Sequence, residues 1–253
     1  MSLTGHHAVV TGAGSGIGRA TAERLAEAGC QVTLIGRHVP RLTETADRIG
    51  DLASAAPADV TDPDALAAAI EVGRDRFGPI DILINNAGAA TSAPFLKTDA
   101  DALRAMLALN LEAPAEAARL VLPGMLTRRW GRIVNVASTA GLKGYAYVSA
   151  YVAAKHGLVG LTRALALEVA AKGVTVNAVC PGFVETDLVA RSIESITART
   201  GRSEEEARAA LAAANPQGRL ITPDEVAMTI VWLCGDGASG VNGVAVPVAG
   251  GEL

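Results

Sequence analysis

The chain has 253 residues, 50% hydrophobic and 19% charged, with only 3% aromatics and a formal net charge of −4. That length and apolar content suit one large core, read here as one domain over residues 1–253. Scattered basic residues and scarce aromatics disfavour nucleic acid as a partner, and the absence of a long apolar run disfavours a membrane span.

Cys30, Cys180 and Cys234 are odd in number and far apart, which suits reduced thiols in a cytoplasm better than a disulfide framework. Met1 to His7 runs into a strand-like segment without a basic-then-apolar leader. No Cys or His pair has metal-ligand spacing, so no metal site is expected.

His7 to Thr11 reads as an apolar strand. Thr11-Gly12-Ala13-Gly14-Ser15-Gly16-Ile17-Gly18 follows, then an amphipathic helix from Arg19 to Gly29. Glycines in such a turn let the backbone approach a pyrophosphate, and the helix N-terminus faces the negative charge. The spacing Gly12-xxx-Gly16-x-Gly18 departs from GxGxxG, and a tight turn without a ligand is the alternative. The second strand, Gln31 to Gly36, ends where a dinucleotide site places an acid for the ribose 2′-hydroxyl. Here Arg37 follows, with His38 and Arg41 behind it. No carboxylate is expected to compete, and a guanidinium suits a 2′-phosphate. NADP(H) is therefore the expected cofactor and NAD(H) the alternative; a solvated arginine is the plain reading of Arg37.

Leu42 to Ile49 reads as helix, and a third strand within Asp51 to Asp59 ends at Asp59-Val60, a candidate adenine contact. Asp62-Pro63-Asp64 caps a helix that runs to Phe77 and stops at Gly78-Pro79. Asp81 to Ile84 is a fourth, buried strand. It ends in Asn85-Asn86-Ala87-Gly88, which serves structure or lines a cofactor cleft. Asp99 to Leu109 is helical, and Asn110 sits in an apolar run, so its amide needs partners and is either structural or catalytic. Pro114 and Pro123 are expected to break or kink the helical stretch up to Arg129. Arg132 to Ala137 is the fifth strand, with Ser138 at its carboxyl end, where open α/β sheets bind ligands.

The next helix carries Tyr151 and Lys155, four residues apart and so on one face. A phenol with a pKa of about 10 must fall about three units, or about 4 kcal/mol, to titrate near neutrality. One charge about 4 Å away at an effective dielectric near 20 supplies that much. Chance pairing on a half-exposed helix is the alternative. Gly157 to Gly160 offers small residues for a close helix neighbour. Val174 to Val179 is the sixth strand, and Cys180-Pro181-Gly182-Phe183 turns out of it, Cys180 being expected small and buried. Val184 to Leu220 is a long excursion, polar from Arg191 to Gly201, with a capping box at Ser203 to Glu206. It reads as a lid at about 187–217. Thr222-Pro223-Asp224-Glu225 caps a last helix to Cys234. Val244 to Val248 is a final strand whose Pro247 suggests an edge.

Jointly, Thr11-Gly12-xxx-Gly16-Ile17-Gly18, Asn85-Asn86-Ala87-Gly88, Asn110, Ser138, Tyr151-xxx-Lys155 and Pro181-Gly182 resemble the short-chain dehydrogenase/reductase family, single-domain branch. The resemblance covers essentially the whole chain. It implies an α/β Rossmann fold, a seven-stranded parallel sheet of order 3-2-1-4-5-6-7 with helices on both faces. It implies a dimer or homotetramer built partly on the Tyr151 helix. By resemblance, Tyr151 exchanges a proton with the substrate oxygen, Ser138 holds that oxygen, and Lys155 lowers the tyrosine pKa and meets the nicotinamide ribose. Asn110 supports a proton-relay water. The implied cofactor contacts come from Gly12, Ser15, Gly16, Ile17 and Gly18, then Arg37, Asp59 and Val60. Further on they come from Asn86, Ala87 and Gly88, from Tyr151 and Lys155, and from Pro181, Gly182 and Thr186. Members linked to NADPH often carry a basic residue in the glycine turn, where this chain has Ser15.

On the substrate side the chain is similar to β-ketoacyl and polyketide ketoreductases and to 3-hydroxybutyrate dehydrogenases. The latter carry basic residues for a carboxylate where this chain has Ala140 and Val148. The resemblance therefore implies a larger, mostly apolar ketone or acyl thioester rather than a small hydroxy acid. Arg191, Arg199 or Arg202 either meets carrier phosphates or forms a solvated face. Tyr145 and Tyr147 line the substrate pocket or merely pack. The expected activity is an NADP(H)-dependent ketoreductase. An NAD-dependent secondary-alcohol or 3-hydroxyacyl dehydrogenase is the alternative, and a non-catalytic dinucleotide binder is disfavoured by Ser138, Tyr151 and Lys155.

Overall fold

The computed structural model describes residues 2–253. Seven parallel strands form one sheet in the order β3-β2-β1-β4-β5-β6-β7. The strands are β1 (His7–Thr11), β2 (Gln31–Gly36), β3 (Ala53–Pro57), β4 (Ile82–Asn85), β5 (Gly131–Val136), β6 (Val174–Pro181) and β7 (Ala245–Val248). This is the order the resemblance implies, and Pro247 does lie on an edge strand. Strands β1, β4, β5 and β6 are buried throughout, as a parallel sheet covered on both faces requires.

Alternate residues of each strand feed two different cores. Ala8, Val10, Ile82, Ile84, Val134 and Val136 join Leu25 of α1 (Gly16–Glu27) and Val226, Ile230 and Leu233 of α9 (Pro223–Cys234) on one face. Val9, Leu83, Ile133 and Val176 point the other way. They meet Leu66 and Ile70 of α3 (Pro63–Phe77), Val121 and Met125 of α5 (Ala113–Arg128), and Val169 of α6 (Ser149–Val169).

Local chemistry sets the helix ends. Asp62 accepts from the amides of Asp64 and Ala65 at 3.0 and 3.1 Å, with Pro63 in the first turn. Ser203 and Thr222 build capping boxes for α8 (Glu204–Ala212) and α9. Of the expected break or kink at the prolines, the break is corrected. Pro123 lies inside a continuous α5, and Pro114 follows a π-helical stretch, Ala108–Glu112, after α4 (Ala100–Leu107). The wider turn gives the ring the room that a regular α-helix denies it. The excursion after β6 consists of α7 (Asp187–Thr200) and α8, so its polar middle is helical. Gly157 gives Leu111 a close approach, a Cβ there lying 2.9 Å from its side chain, whereas a Cβ on Gly160 would meet no neighbouring element within 4 Å.

The order in which strands are added reverses between β1 and β4, the switch point where such sheets open a crevice. The residues after those two strands, Gly12 and Asn86, touch: a Cβ on Gly12 would lie 2.8 Å from Asn86 Nδ2.

Candidate active site

A cavity of about 500 Å³ opens at the carboxyl ends of these strands. Gly12, Ser15, Gly16, Ile17, Asn86, Ala87, Gly88, Ser138, Tyr151, Lys155, Pro181, Gly182 and Thr186 all line it. Gly18, Arg37, Asp59, Val60 and Asn110 lie outside its lining.

The glycine turn is shaped by lack of space. A Cβ on Gly18 would stand 2.2 Å from the Gly12 carbonyl oxygen, and one on Gly16 2.9 Å from Thr186 Cγ2. Gly12 and Gly16 also hold φ of +66° and +52°, which L side chains avoid. The helix begins at Gly16, earlier than expected, so its first-turn amides belong to the glycine turn itself. Ser15 and Thr186, the N-cap residues of α1 and α7, make no side-chain cap, and neither does Val148 before α6. By contrast, α2 (Val39–Ile49), α3, α4, α8 and α9 are all capped by side chains. Three helix N-termini with uncommitted amides thus meet one cavity, which favours an anionic ligand.

On the other wall, Ser138 follows β5. Its Oγ accepts from the Ala140 amide at 3.1 Å, which leaves its own proton free to donate. Lys155 is 4% exposed, and its Nζ donates to the Val136 carbonyl at 2.8 Å. That Nζ lies 5.6 Å from the centre of the Tyr151 ring. The expected fall in the phenol pKa is not found in the protein itself. Burial pushes Tyr151 above its ordinary value, and the neighbouring Ser138 hydroxyl pulls it back only in part. Burial also brings Lys155 down, to about 8. Desolvation is the largest cause for both groups, since each loses water on this wall.

Asn110 is fully buried in the π-helical stretch. Its Nδ2 donates to the carbonyls of Ala89 and Met106 at 3.0 and 3.1 Å. Its Oδ1 is buried without a partner. A Cβ on Gly88 would lie 2.9 Å from that oxygen and 3.6 Å from Lys155 Nζ. An unsatisfied acceptor and a buried ammonium therefore flank the same glycine.

At the far end of the crevice one expectation is corrected. A carboxylate does compete beside Arg37: Asp59 lies 3.6 Å from its guanidinium. The parallel register that pairs Gly36 with Pro57 brings the following loops together, a pairing across strands that spacing along the chain cannot report. Asp59 also accepts from the Thr61 amide and hydroxyl, and these bonds hold its carboxyl below the usual range. Arg37 itself is exposed, and Val60 is buried in the core. Arg41 enters the cavity lining instead, ion-paired with Asp187 at the start of α7. The sequence places Arg41 behind Arg37 but does not mark it as a cofactor contact; its position in the first turn of α2 brings it to the cavity.

Three comparisons bear on this arrangement. The family model of short chain dehydrogenases matches residues 6–196. The chain belongs to the short-chain dehydrogenase/reductase family. This family member is 39% identical over 250 residues to D-beta-hydroxybutyrate dehydrogenase of Rhizobium meliloti, covering 96% of this chain and 97% of that one. It is 37% identical to a 3-oxoacyl-(acyl-carrier-protein) reductase of Vibrio cholerae, over 99% and 98% of the two chains. Its structure superposes on a variant of actinorhodin polyketide ketoreductase with NADPH at a TM-score of 0.94 and 38% identity, over 100% and 99% of the chains.

This short-chain dehydrogenase/reductase is an NAD(P)-dependent oxidoreductase. The site fits a nicotinamide dinucleotide: the glycine turn leaves no room for side chains where a diphosphate would lie against backbone, and uncommitted amides surround it. Among the described residues, no helix is long and apolar enough to cross a membrane.

Proposed function

We propose that this enzyme is an NADP(H)-dependent ketoreductase of a mostly apolar ketone or β-ketoacyl thioester. The observation that carries the proposal is the wall on which Ser138, Tyr151 and Lys155 converge within one cavity. Ser138 donates to the substrate oxygen, the Ala140 amide holding its Oγ in place while its own proton stays uncommitted. Tyr151, protonated because burial raises its pKa, gives its proton to that oxygen as negative charge develops there. Lys155 holds the phenol's surroundings positive and meets the ribose, and the free Oδ1 of Asn110 takes a water that leads protons toward it. When bound, the nicotinamide supplies the hydride. Gly12, Ser15, Gly16, Ile17 and Gly18 hold the diphosphate, with Asn86 to Gly88, Pro181, Gly182 and Thr186 on the nicotinamide side and Asp59 and Val60 toward the adenine.

Arg37, exposed and able to swing, and Arg41, at the cavity wall, support a 2′-phosphate, as does the NADPH-bound neighbour. Asp59 beside Arg37 favours a second reading, an NAD(H)-linked secondary-alcohol or 3-hydroxyacyl dehydrogenase. Ala140, Val148, Ala146, Phe183 and Leu188 line the cavity and support a mostly apolar partner, while Arg191, also in the lining, is placed to meet a carrier phosphate. Helices α7 and α8 then act as the lid. Leu167 on α6, 83% exposed, together with exposed Met228 and Trp232 on α9, supports a homotetramer, and the free, buried Cys30, Cys180 and Cys234 support a reducing, cytoplasmic setting.

The test is a panel of ketones, acyl thioesters and 3-hydroxy acids, followed by loss or gain of reduced-nicotinamide absorbance with NADPH and NADH at equal concentration. Reduction of an apolar ketone or thioester with NADPH is expected. Faster turnover with NADH, or activity confined to small hydroxy acids, overturns the reading.

A further inference from the structure

The C-terminal tail ends in a carboxylate for which the chemistry above has no use. Glu252 lies next to the last residue, yet its side chain is only 3% exposed. It reaches there because the chain turns sharply after β7. Gly250 and Gly251 have φ of +61° and +94°, and a Cβ on Gly250 would overlap Asn215, at 1.9 Å. Pro216 packs against Gly251. The tail is therefore seated on the residues that close the excursion carrying α7 and α8.

The buried carboxylate has three neighbours. One oxygen accepts from the Tyr145 hydroxyl, and Lys143 Nζ lies 3.1 Å from that same oxygen. The other oxygen faces Gly182, where a Cβ would stand 2.9 Å away. The small residue of the Pro181-Gly182 turn thus makes room for the tail as well as lining the cavity. An ionised carboxylate only accepts, so Tyr145 must donate to Glu252. The 2.7 Å contact between Tyr145 and Thr139 then has a fixed direction: the threonine donates and the phenol accepts. Tyr145 is held at both its donor and acceptor positions. Its ring stacks edge-to-face on Phe183 at 6.4 Å, and Thr139, Tyr145 and Phe183 all line the cavity beside Ser138 and Tyr151.

We infer that Glu252 is a positioning residue that fixes Tyr145 as a rigid wall of the substrate end, so that the C-terminal tail helps to set which ketone fits. The inference rests on the reading of this cavity as a ketone site. A locked phenol that spends its proton on Glu252 offers the substrate a ring surface rather than a hydrogen-bond donor. The burial and the anionic neighbour that raise the Tyr145 pKa also keep it from replacing Tyr151 as the acid. A wall fixed by a bond to the tail contributes to ground-state fit, so its loss acts on KM before kcat.

The test compares Glu252→Ala, Glu252→Gln, Tyr145→Phe and the Ala/Phe double variant, each first checked for an unchanged melting profile and NADPH affinity. Glu252→Ala and Tyr145→Phe are each expected to raise KM for the best ketone at least fivefold with kcat within about twofold. The double variant should be no worse than the worse single one, because both remove one contact. Glu252→Gln, which keeps an acceptor, should recover most of the loss. A second readout needs no substrate: the alkaline rise in tyrosinate absorbance that Tyr145→Phe deletes should move to lower pH in Glu252→Gln. Unchanged KM, additive losses or an unmoved titration overturns the inference. If the wild-type enzyme reduces no ketone, the functional reading fails, and the titration still decides whether Glu252 holds Tyr145. Should Glu252→Ala not fold, Glu252→Gln and Tyr145→Phe carry the same comparisons.

Discussion

Lys155 donates from Nζ to the carbonyl of Val136 at 2.8 Å, which fastens α6 to the strand that delivers Ser138 two residues later. The bond sets the spacing between the lysine, the serine and the phenol one turn back on α6. It also makes the ammonium a costly group. Burial brings its pKa from 10.5 to about 8, so between those values the unfolded chain holds more protons than the fold does. Stability contributed by this group therefore rises as pH rises from about 8 to 10.5. Below about 8 the fold carries the full cost, on the order of 3 kcal/mol, partly offset by the bond to Val136. Lys155→Met is expected to abolish turnover and yet melt higher than wild type at pH 7. The difference in melting temperature should shrink as pH approaches 10, as scanning calorimetry across that range would reveal. A constant difference would show that the lysine is not the group responsible.

Tyr151→Phe keeps the ring and removes the phenol proton that this wall offers beside Ser138. Turnover should fall by a factor of about 10² to 10⁴, the usual weight of a general acid. NADPH affinity, measured by fluorescence, should stay within about threefold. Ser138→Ala should cost about 10² in kcat, in the manner of an oxyanion donor. It also removes the hydroxyl that pulls the phenol pKa down, so the alkaline limb of the pH–rate profile should move up. A profile that stays in place would separate the serine from the tyrosine.

What could be read from the sequence follows from the range of the interactions. Tyr151 and Lys155, the Asp62-Pro63 cap and the glycine turn are local, and each appears in the structure where spacing puts it. The apolar runs of β1, β4 and β5 were readable for the same reason, whereas their division between two cores was not. Asp59 beside Arg37, Arg41 against Asp187 and Glu252 against Tyr145 join residues from distant parts of the chain. Nothing in local pattern announces them. The phenol pKa goes the other way for a related reason: spacing along α6 reports the lysine charge, whereas desolvation depends on walls supplied by the rest of the fold.

Cofactor choice should be decided at the mouth of the crevice by Arg37, Arg41 and Asp59. Arg37→Ala and Arg41→Ala should each raise KM for NADPH about tenfold, since a 2′-phosphate contact by a guanidinium is a charge-assisted bond. KM for NADH should hardly move. Asp59→Asn removes the competing charge 3.6 Å from Arg37, so the NADPH/NADH ratio of kcat/KM should increase. Arg41→Ala also frees Asp187 at the start of α7. If Arg41→Ala weakens both cofactors equally, the arginine serves the lid and not the phosphate.

The last helix supports the site from behind. Helix α9 packs against α1, and Arg24 of α1 pairs with Asp224 in its first turn. That turn depends on Thr222, whose hydroxyl accepts from the Glu225 amide at 3.2 Å while Glu225 accepts from the Thr222 amide at 2.8 Å. Arg219 bonds the same carboxylate, and together these partners hold its pKa at about 2, against an ordinary 4.5. A depressed carboxylate stabilises the fold above its unfolded pKa, and that contribution is lost as pH falls from about 4.5 through about 2. Thr222→Ala should cost about 1 kcal/mol at neutral pH by breaking the cap. Glu225→Gln should destabilise at pH 7 but differ less from wild type at pH 3, where the wild-type carboxylate has begun to lose its advantage. Because α1 leans on this helix, both variants should loosen NADPH binding slightly while leaving kcat intact. Denaturant melts at the two pH values, with cofactor titrations alongside, would test the pair. Equal destabilisation at both would mean that Glu225 acts through packing and not through its charge.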